Sequence, residues 1–419
     1  MMSSRKGDDS SSLPPLEEVE ELLTDSEDDQ LPTGWDMRIT EKGRVFYISH
    51  ADRHTQWKHP KSGKEKYLSK DLPFGWKRAT DENGKVIFVD NVNKRTTCVD
   101  PRIAYAMTKK KAVSKFDAES TAMAVLRGRD LRGRTALVTG GTSGIGYETA
   151  KALSLHGCHV VLVCRDLKKG QNAANNIMKK QAVTAPVDIL QCDLSSLQSV
   201  RACAQVFIKR KWPLHILICN AGVMGIPSYQ QTTDGIEETF ATNHLGHFLL
   251  VDLLRDLLID SEPSRIVVVS SESHRFPSTY CDHFDISAVP LRQENYSPMV
   301  AYNQSKLCNI LFAFELNRRM SPYGVYCNAV NPGCLIWTKL QRHSISYKLL
   351  YAFFRPFTKS KEQGAATTIY CATSHELENI GGFYFNHCCG CQPSKFASDE
   401  RLAKELWEFS ERIVYHGIR

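Results

Sequence analysis

The amino-acid sequence predicts an α/β domain built on a doubly wound parallel sheet, preceded by two small all-β units of three strands each. Three observations predict it. From Arg132 onward, apolar runs of strand length alternate with longer helical stretches, as in successive βαβ units. The first of these runs ends in the stretch Arg134 to Gly146, RTALVTGGTSGIG, where small residues permit a tight turn from strand to helix. Upstream, LPTGW at 31–35 returns as LPFGW at 72–76, which marks an internal repeat.

The totals bound the answer. With 419 residues and 42% apolar content the chain can form two or three domains with at least one large core, which excludes disorder throughout. Residues 1–30 carry a local charge of −8, so the rest carries +15 against a total of +7. That positive charge is spread thinly, with Lys109–Lys110–Lys111 the tightest cluster, so no nucleic-acid surface is expected. Fourteen cysteines lie scattered without the framework of a secreted domain, and no N-terminal apolar segment resembles a signal peptide, so a reducing cytosol is the expected compartment. No run approaches the ~20 apolar residues that span a bilayer; the nearest, Tyr347 to Phe354, is short and meets Arg355 and Pro356.

Taken in order, 1–30 has the Ser-rich, acidic composition of a tail that buries too little surface to order itself. Thr24, Ser26 and the acids after them fit a kinase site, but the composition favours a plain solubilising tail. In the repeat, the 41-residue offset also pairs Gly43 with Gly84, Tyr47 with Phe88, Thr55 with Thr96 and Pro60 with Pro101. β-type runs at Arg44–His50 and Lys85–Asn91 predict three-stranded antiparallel sheets at 31–62 and 72–103, joined by a linker at 63–71. The repeat resembles the WW domain family, named for two tryptophans that here are Trp35 and Trp57. The resemblance implies a structural buckle of Trp35, Tyr47 and Pro60, and a groove of Phe46 and Trp57 for polyproline-II peptides. It further implies that Ile48, His50, Arg53 and Thr55 line a pocket for the tyrosine of a PPxY motif. In the second copy Trp57 is replaced by Cys98, Phe46 by Ile87 and His50 by Asn91, whereas Trp76, Phe88 and Pro101 keep the buckle. The first copy is therefore expected to bind PPxY proteins and the second to support it.

Residues 104–131 read as a linker with a short helix around Ser120–Leu126, and 132–419 as the large domain. Strands are expected at 134–139, 159–164, 187–192, 214–219, 264–271, 325–330 and 382–385. The turn Gly140–Gly141–Thr142–Ser143–Gly144–Ile145–Gly146 lets backbone approach a pyrophosphate and offers the N–H groups of the next helix to negative charge. Where an NAD-binding strand would end in an acid for the ribose hydroxyls, this chain has Cys164 followed by Arg165. Arginine can pair with a 2′-phosphate, which favours NADP(H) over NAD(H); an arginine on a solvated loop is the alternative. Asp193 is placed either for the adenine edge or to cap the next helix. Asn220–Ala221–Gly222 ends the fourth strand with small residues that let a cofactor ribose lie against backbone.

The decisive constellation is Tyr302-x-x-x-Lys306 with Ser271 and Asn243. Residues four apart on a helix share a face, so the ammonium lies near the phenol and favours phenolate, which brings proton transfer toward neutral pH. Ser271 can hydrogen-bond a substrate oxygen, and Asn243 can hold a water that relays protons to Lys306. These motifs resemble the short-chain dehydrogenase/reductase superfamily over about 132–390, a Rossmann-like fold. Ser271-Glu-Ser-His274 and Ala301-Tyr-Asn-Gln-Ser-Lys306 are most similar to its retinol dehydrogenase-like branch. The resemblance implies Asn243, Ser271, Tyr302 and Lys306 as catalytic tetrad and Pro332–Gly333 at the cofactor. It also implies a lipophilic steroid- or retinoid-like alcohol or ketone, and partners in transcription, growth, Wnt and apoptosis signalling. Cytoplasmic, nuclear and mitochondrial pools, and a homodimer through the helices that carry Asn243 and Tyr302, are further expectations. The competing reading is a signalling adaptor whose dehydrogenase domain is a cofactor-sensing scaffold.

Departures from the pattern stand beside it. Ser271 and Tyr302 are 31 residues apart, so an insertion around 277–298 is expected to loop out. Trp337 occupies the place of a small hydroxyl residue four after Gly333, with Thr338 next. Glu65 interrupts Lys64 and Lys66, thinning the nuclear-targeting run between the repeats. His387, Cys388, Cys389 and Cys391 lack the spacing of a closed zinc site, so no metal is expected. His244 and His247 are read as packing.

Overall fold

The computed structural model describes residues 31–32, 34–39, 45–61, 76–80, 86–90, 95–97, 116–180, 185–278, 284–333 and 359–417. The tail 1–30, the linker 63–71, the lysines 109–111, Gly43, Gly84, Asn91, Cys98, Pro101, Trp337, Thr338 and the stretch 347–354 lie outside the described residues.

In the first repeat, β1 (Trp35–Ile39), β2 (Val45–Ser49) and β3 (His54–Gln56) form an antiparallel sheet in that order. Period-two alternation divides β2: Val45, Tyr47 and Ser49 are buried, while Phe46 and Ile48 are half-buried on the other face. So small a sheet depends on rings for its core. Tyr47 is fully buried and meets His59 edge-on at 5.1 Å, and Trp35 meets His54 at 5.3 Å. The second copy repeats the sheet with β4 (Trp76–Thr80), β5 (Val86–Asp90) and β6 (Arg95–Thr97), and buries Phe88 where the first buries Tyr47.

The large domain carries an eight-stranded sheet. Its members are β7 (Thr135–Thr139), β8 (His159–Cys164), β9 (Val187–Gln191), β10 (Ile216–Cys219), β11 (Ser264–Val269), β12 (Val325–Asn331), β13 (Tyr384–Asn386) and β14 (Cys389–Cys391), in the order β14-β13-β12-β11-β10-β7-β8-β9. All neighbours are parallel except the β13–β14 hairpin. The helices are α1 (Ala122–Val125), α2 (Gly144–Leu155), α3 (Leu167–Met178), α4 (Leu197–Lys209), α5 (Gly246–Leu253), α6 (Arg255–Asp260), α7 (Pro298–Met320), α8 (Lys361–Gly364), α9 (Ala366–Thr373) and α10 (Glu400–His416). Alternate strand residues feed two cores: Leu137, Leu217 and Ile266 pack with α4, α5, α7 and α10, and Val138, Ile218 and Val267 with α1, α2, α3 and α9. Chain order reverses between β7 and β10, and the carboxyl ends of those strands open the crevice where such folds bind ligands.

Four features differ from the sequence-based expectation. The hairpin strand β14 was not expected, because its two-residue turn, His387–Cys388, adopts left-handed φ of 54° and 63° without the glycine or asparagine that usually signals it. The packed domain begins ahead of Arg132: Phe116 meets Tyr370 at 6.1 Å, and Val125, Leu126 and Leu131 join the second core. The insertion does not simply loop out. Residues 279–283 are outside the described set, but Phe284, Ile286 and Val289 join the first core and Phe284 meets Phe396 at 5.8 Å. Finally, the chain's own α10 packs against α5 and α7, a contact that the sequence did not signal. Trp407 packs on Phe248 at 4.9 Å and stacks on Phe312 at 6.0 Å, with the Arg319 guanidinium 4.3 Å from its ring centre.

Candidate active site

The crevice is built first by glycines. Gly140, at φ 66°, ends β7 so close to the next loop that a Cβ there would sit 3.0 Å from Ala221 Cα. A Cβ on Gly146 would fall 2.4 Å from Asn220 Nδ2 and 2.6 Å from the Gly140 carbonyl, and one on Gly141 2.8 Å from Leu162. Gly144 also has positive φ, at 62°. Two chain segments thus press together as only glycine allows. Helix α2 then starts at Gly144 with Ser143 at its cap and no side-chain bond to its first N–H groups, so Thr142, Ser143 and Ile145 surround amides turned toward an anion site. The 220–222 turn is fixed from beneath by Thr139, whose Oγ1 accepts from Asn220 N at 2.9 Å and Ala221 N at 3.0 Å. Asn220 Nδ2 donates to the Thr139 carbonyl at 2.8 Å. These residues fit a dinucleotide's pyrophosphate and ribose.

At the far end, Arg165 follows buried Cys164. Its guanidinium lies 4.0 Å from Asp193, with both side chains about half exposed. The other Asp193 oxygen accepts from Ser195 N at 3.0 Å and Ser195 Oγ at 2.7 Å, while Ser196 caps α4. Asp193 therefore shapes the turn before the helix and faces the arginine, rather than capping the helix.

The tetrad residues lie on three elements around this crevice. Tyr302 and Lys306 share a face of α7, with Lys306 Nζ 5.6 Å from the Tyr302 ring centre. Nζ donates to the Val269 carbonyl at 3.0 Å, and burial pushes the lysine down to about 8. Ser271, two residues beyond β11, opens a short helical turn; its Oγ accepts from Ser273 N at 3.3 Å and so keeps its O–H as a donor. Asn243 lies in a π-helical turn, Ala241–Leu245, ahead of α5. Its amide is committed to protein: Oδ1 accepts from Val223 N at 2.7 Å, and Nδ2 donates to the Val223 carbonyl and to Ser305 Oγ, both at 2.9 Å. It ties the 220–223 loop to the catalytic helix one residue before Lys306, and a Cβ on Gly222 would meet its Oδ1 at 3.1 Å. Gly333, φ 109°, follows Pro332 and donates its N–H to Asn331 Oδ1; a Cβ there would fall 2.9 Å from Lys359 Cδ.

A supporting layer was not anticipated from sequence. His274 Nδ1 donates to the Ser271 carbonyl at 2.7 Å while Nε2 accepts from Ser394 N at 3.0 Å. Glu272 accepts from Tyr384 Oη at 2.8 Å and Arg275 Nε at 2.7 Å, which fastens the serine turn to β13. The three-residue step from Ser271 to His274 was a local signal; Tyr384, 112 residues away, gave none. Among the described residues no group of three or more His, Cys, Asp or Glu is placed to hold a metal, including His387 and Cys388 to Cys391.

In the first repeat, Phe46 and Trp57 meet at 6.0 Å with Trp57 43% exposed. Ile48 lies opposite Thr55 across the β2–β3 pair, with His50 and Arg53 exposed beside them. Phe46, Ile48, Thr55 and Trp57 thus lie on one face.

A short chain dehydrogenase family model matches residues 134–281, and a WW domain model matches 31–60. A WW domain-containing oxidoreductase from Gallus gallus is 52% identical over 397 residues, covering 93% of this chain and 95% of the relative. Its Homo sapiens counterpart is 50% identical over 401 residues, covering 94% and 96%. The chain belongs to the WW domain-containing oxidoreductases. Mus musculus retinol dehydrogenase 12 is 40% identical over 282 residues, covering 67% of this chain and 86% of its own. A crystal structure of a Mycobacterium paratuberculosis protein superposes with a TM-score of 0.53 at 30% identity, covering 68% of this chain and 94% of that one. As a member of this family the protein is a short-chain oxidoreductase acting on CH–OH groups, its fold takes a nicotinamide dinucleotide, and its WW region binds proline-rich peptides. Among the described residues no helix is long and apolar enough to cross a membrane.

Proposed function

We propose that the large domain interconverts a lipophilic, steroid- or retinoid-like alcohol and its carbonyl with NADP(H), and that the first WW domain presents this enzyme to PPxY proteins of transcription, growth and apoptosis signalling. The observation that carries the cofactor choice is Arg165, half exposed at the end of β8 and loosely paired with Asp193, where an NAD enzyme carries an acid. A guanidinium there suits a 2′-phosphate, and the glycine cradle with the first amides of α2 suits the pyrophosphate. When bound, the nicotinamide supplies hydride transfer.

The chain's own residues do the rest. Ser271 Oγ–H donates to the substrate oxygen and orients it. Tyr302 gives or takes the proton at that oxygen, and the Lys306 ammonium on the same helix face favours the phenolate. Asn243 keeps the 220–223 loop and the catalytic helix in register. The kinship with a retinol dehydrogenase supports an apolar substrate. The exposed Phe46–Trp57 pair supports peptide capture, so an adaptor role accompanies turnover. The described cysteines are free thiols, which suits a cytoplasmic setting with nuclear and mitochondrial pools; fractionation checks it.

Titration of the full chain with NADPH and NADH tests the cofactor assignment. A charge-assisted Arg–phosphate pair is worth about 1.5–3 kcal/mol. Arg165→Ala should therefore weaken NADPH binding by about ten- to 100-fold and leave NADH unchanged. Equal affinities in the wild type, or equal losses in the variant, would refute it.

A further inference from the structure

The buried polar atoms behind the crevice converge on His247, on the first turn of α5, a side chain that neither the tetrad nor the cofactor loop includes. It is 1% exposed. Nδ1 lies 3.0 Å from the Asn243 carbonyl, which can only accept, so Nδ1 carries the hydrogen. A neutral imidazole has one N–H, and Nε2 is therefore an acceptor. Its partner at 2.8 Å is Thr139 Oγ1. The threonine hydroxyl thus donates to the ring, which turns its lone pairs to the amides of Asn220 and Ala221 at 2.9 and 3.0 Å. The alternative acceptor, the Ile218 carbonyl, is farther at 3.2 Å. Burial, with the Lys306 charge adding to it, pushes His247 down to about 4, which keeps the ring neutral.

The position of the ring is itself constrained. In the π-helical turn Gly246 N–H bonds the Ala241 carbonyl five residues back. A Cβ on Gly246 would fall 2.3 Å from the Leu194 carbonyl, so the helix start is pressed against the loop that carries Asp193. One side chain therefore joins the end of β7, the 220–222 turn and the backbone of Asn243. Asn243 continues the path through Ser305 to the Lys306 helix.

We propose that His247 is a positioning residue that couples the nucleotide cradle to the catalytic tetrad through one neutral tautomer, Nδ1–H on the Asn243 carbonyl and bare Nε2 on the Thr139 hydroxyl. Filling the cradle fixes the 220–222 turn, hence the Thr139 hydroxyl, hence the ring and Asn243. The inference rests on the proposed reading of 140–146 and 220–222 as the nucleotide cradle.

Two measurements on the full chain test it. Histidine side-chain 15N resonances, assigned by their loss in His247→Phe, should show His247 as the Nδ1–H tautomer at pH 7; an Nε2–H tautomer overturns the inference without any nucleotide. NADPH fluorescence titration should show about tenfold weaker binding for His247→Phe and for Thr139→Val. Thr139→Ser, which keeps the hydroxyl, should bind as the wild type does. The double variant His247→Phe/Thr139→Val should remain near tenfold, because both changes cut one path. Additive losses near 100-fold, or wild-type binding by His247→Phe, overturn the coupling. A wild type that binds no NADPH overturns the cofactor reading and this inference together, whereas normal wild-type binding with additive variants overturns this inference alone. If His247→Phe does not fold, the Thr139→Val and Thr139→Ser pair still decides: equal affinities overturn it.

Discussion

Replacing Lys306 with methionine should make the protein more stable at neutral pH while disabling it. The lysine is fully buried, and its value falls from the ordinary 10.5 to about 8 because burial disfavours its charge. That gap corresponds to about 3 kcal/mol. Below pH 8 the group is charged in both the folded and the unfolded chain, so the whole cost is present. Between pH 8 and 10.5 the unfolded chain binds more protons than the folded one, so stability rises with pH. Above that range the cost is gone. The bond from Nζ to the Val269 carbonyl offsets about 1 kcal/mol of the gain expected from removing the charge, but that carbonyl keeps a second donor, Asn309 Nδ2 at 3.1 Å, and is not orphaned. Lys306→Met should therefore exceed the wild type by about 2–3 kcal/mol at pH 7 and lose that advantage by pH 10. Urea denaturation of both proteins from pH 7 to 10 measures the difference. A difference that stays flat with pH, or a wild type more stable at pH 7, would show that Lys306 is not held charged against its surroundings.

Other substitutions follow from the same contacts. Gly146→Ala must shift the Asn220 amide or the Gly140 carbonyl, so it should cost about 1–3 kcal/mol and weaken nucleotide binding at least about tenfold; wild-type binding would disprove the close approach. Trp57→Ala, at a 43% exposed site, should leave the fold of the first WW domain intact yet abolish binding of a PPxY peptide. Tighter binding by the second repeat would reverse the assigned roles. Trp407→Ala should cost about 3–5 kcal/mol and expose Phe248 and Phe312, detected as self-association in size-exclusion chromatography. A loss below about 1 kcal/mol would mean that α10 is not an essential cover.

What was legible in the sequence depended on local signals. The strands of the parallel sheet announced themselves as apolar, β-branched runs such as Val160–Val163, because both faces of such a sheet are buried. Tyr302 and Lys306 were legible because a four-residue step on one helix fixes their proximity. The 41-residue repeat was legible from its glycine–tryptophan frame. The cover of α5 and α7 by α10 was not, since an amphipathic helix shows that it packs but not on what. The burial of Phe284 and Ile286 was hidden by polar neighbours that read as a loop. Asn243 read as a water-holding residue, but its amide is bound to Val223 and Ser305, a role set by residues up to 62 positions away. His247 read as packing because nothing near it in the chain reveals Thr139, 108 positions earlier.

The most direct test of the account is transfer of deuterium from 4-deuterated NADPH to a panel of retinaldehydes and steroid ketones, by the wild type and by Tyr302→Phe. Label should appear in the carbinol product of at least one compound with the wild type. Tyr302→Phe should bind NADPH normally but transfer label at least about 100-fold more slowly, since a proton-transfer group contributes that much or more. NADPH binding with no label transferred to any of the panel, or equal transfer by the two proteins, would contradict the claim that this crevice is a working oxidoreductase centre driven by Tyr302.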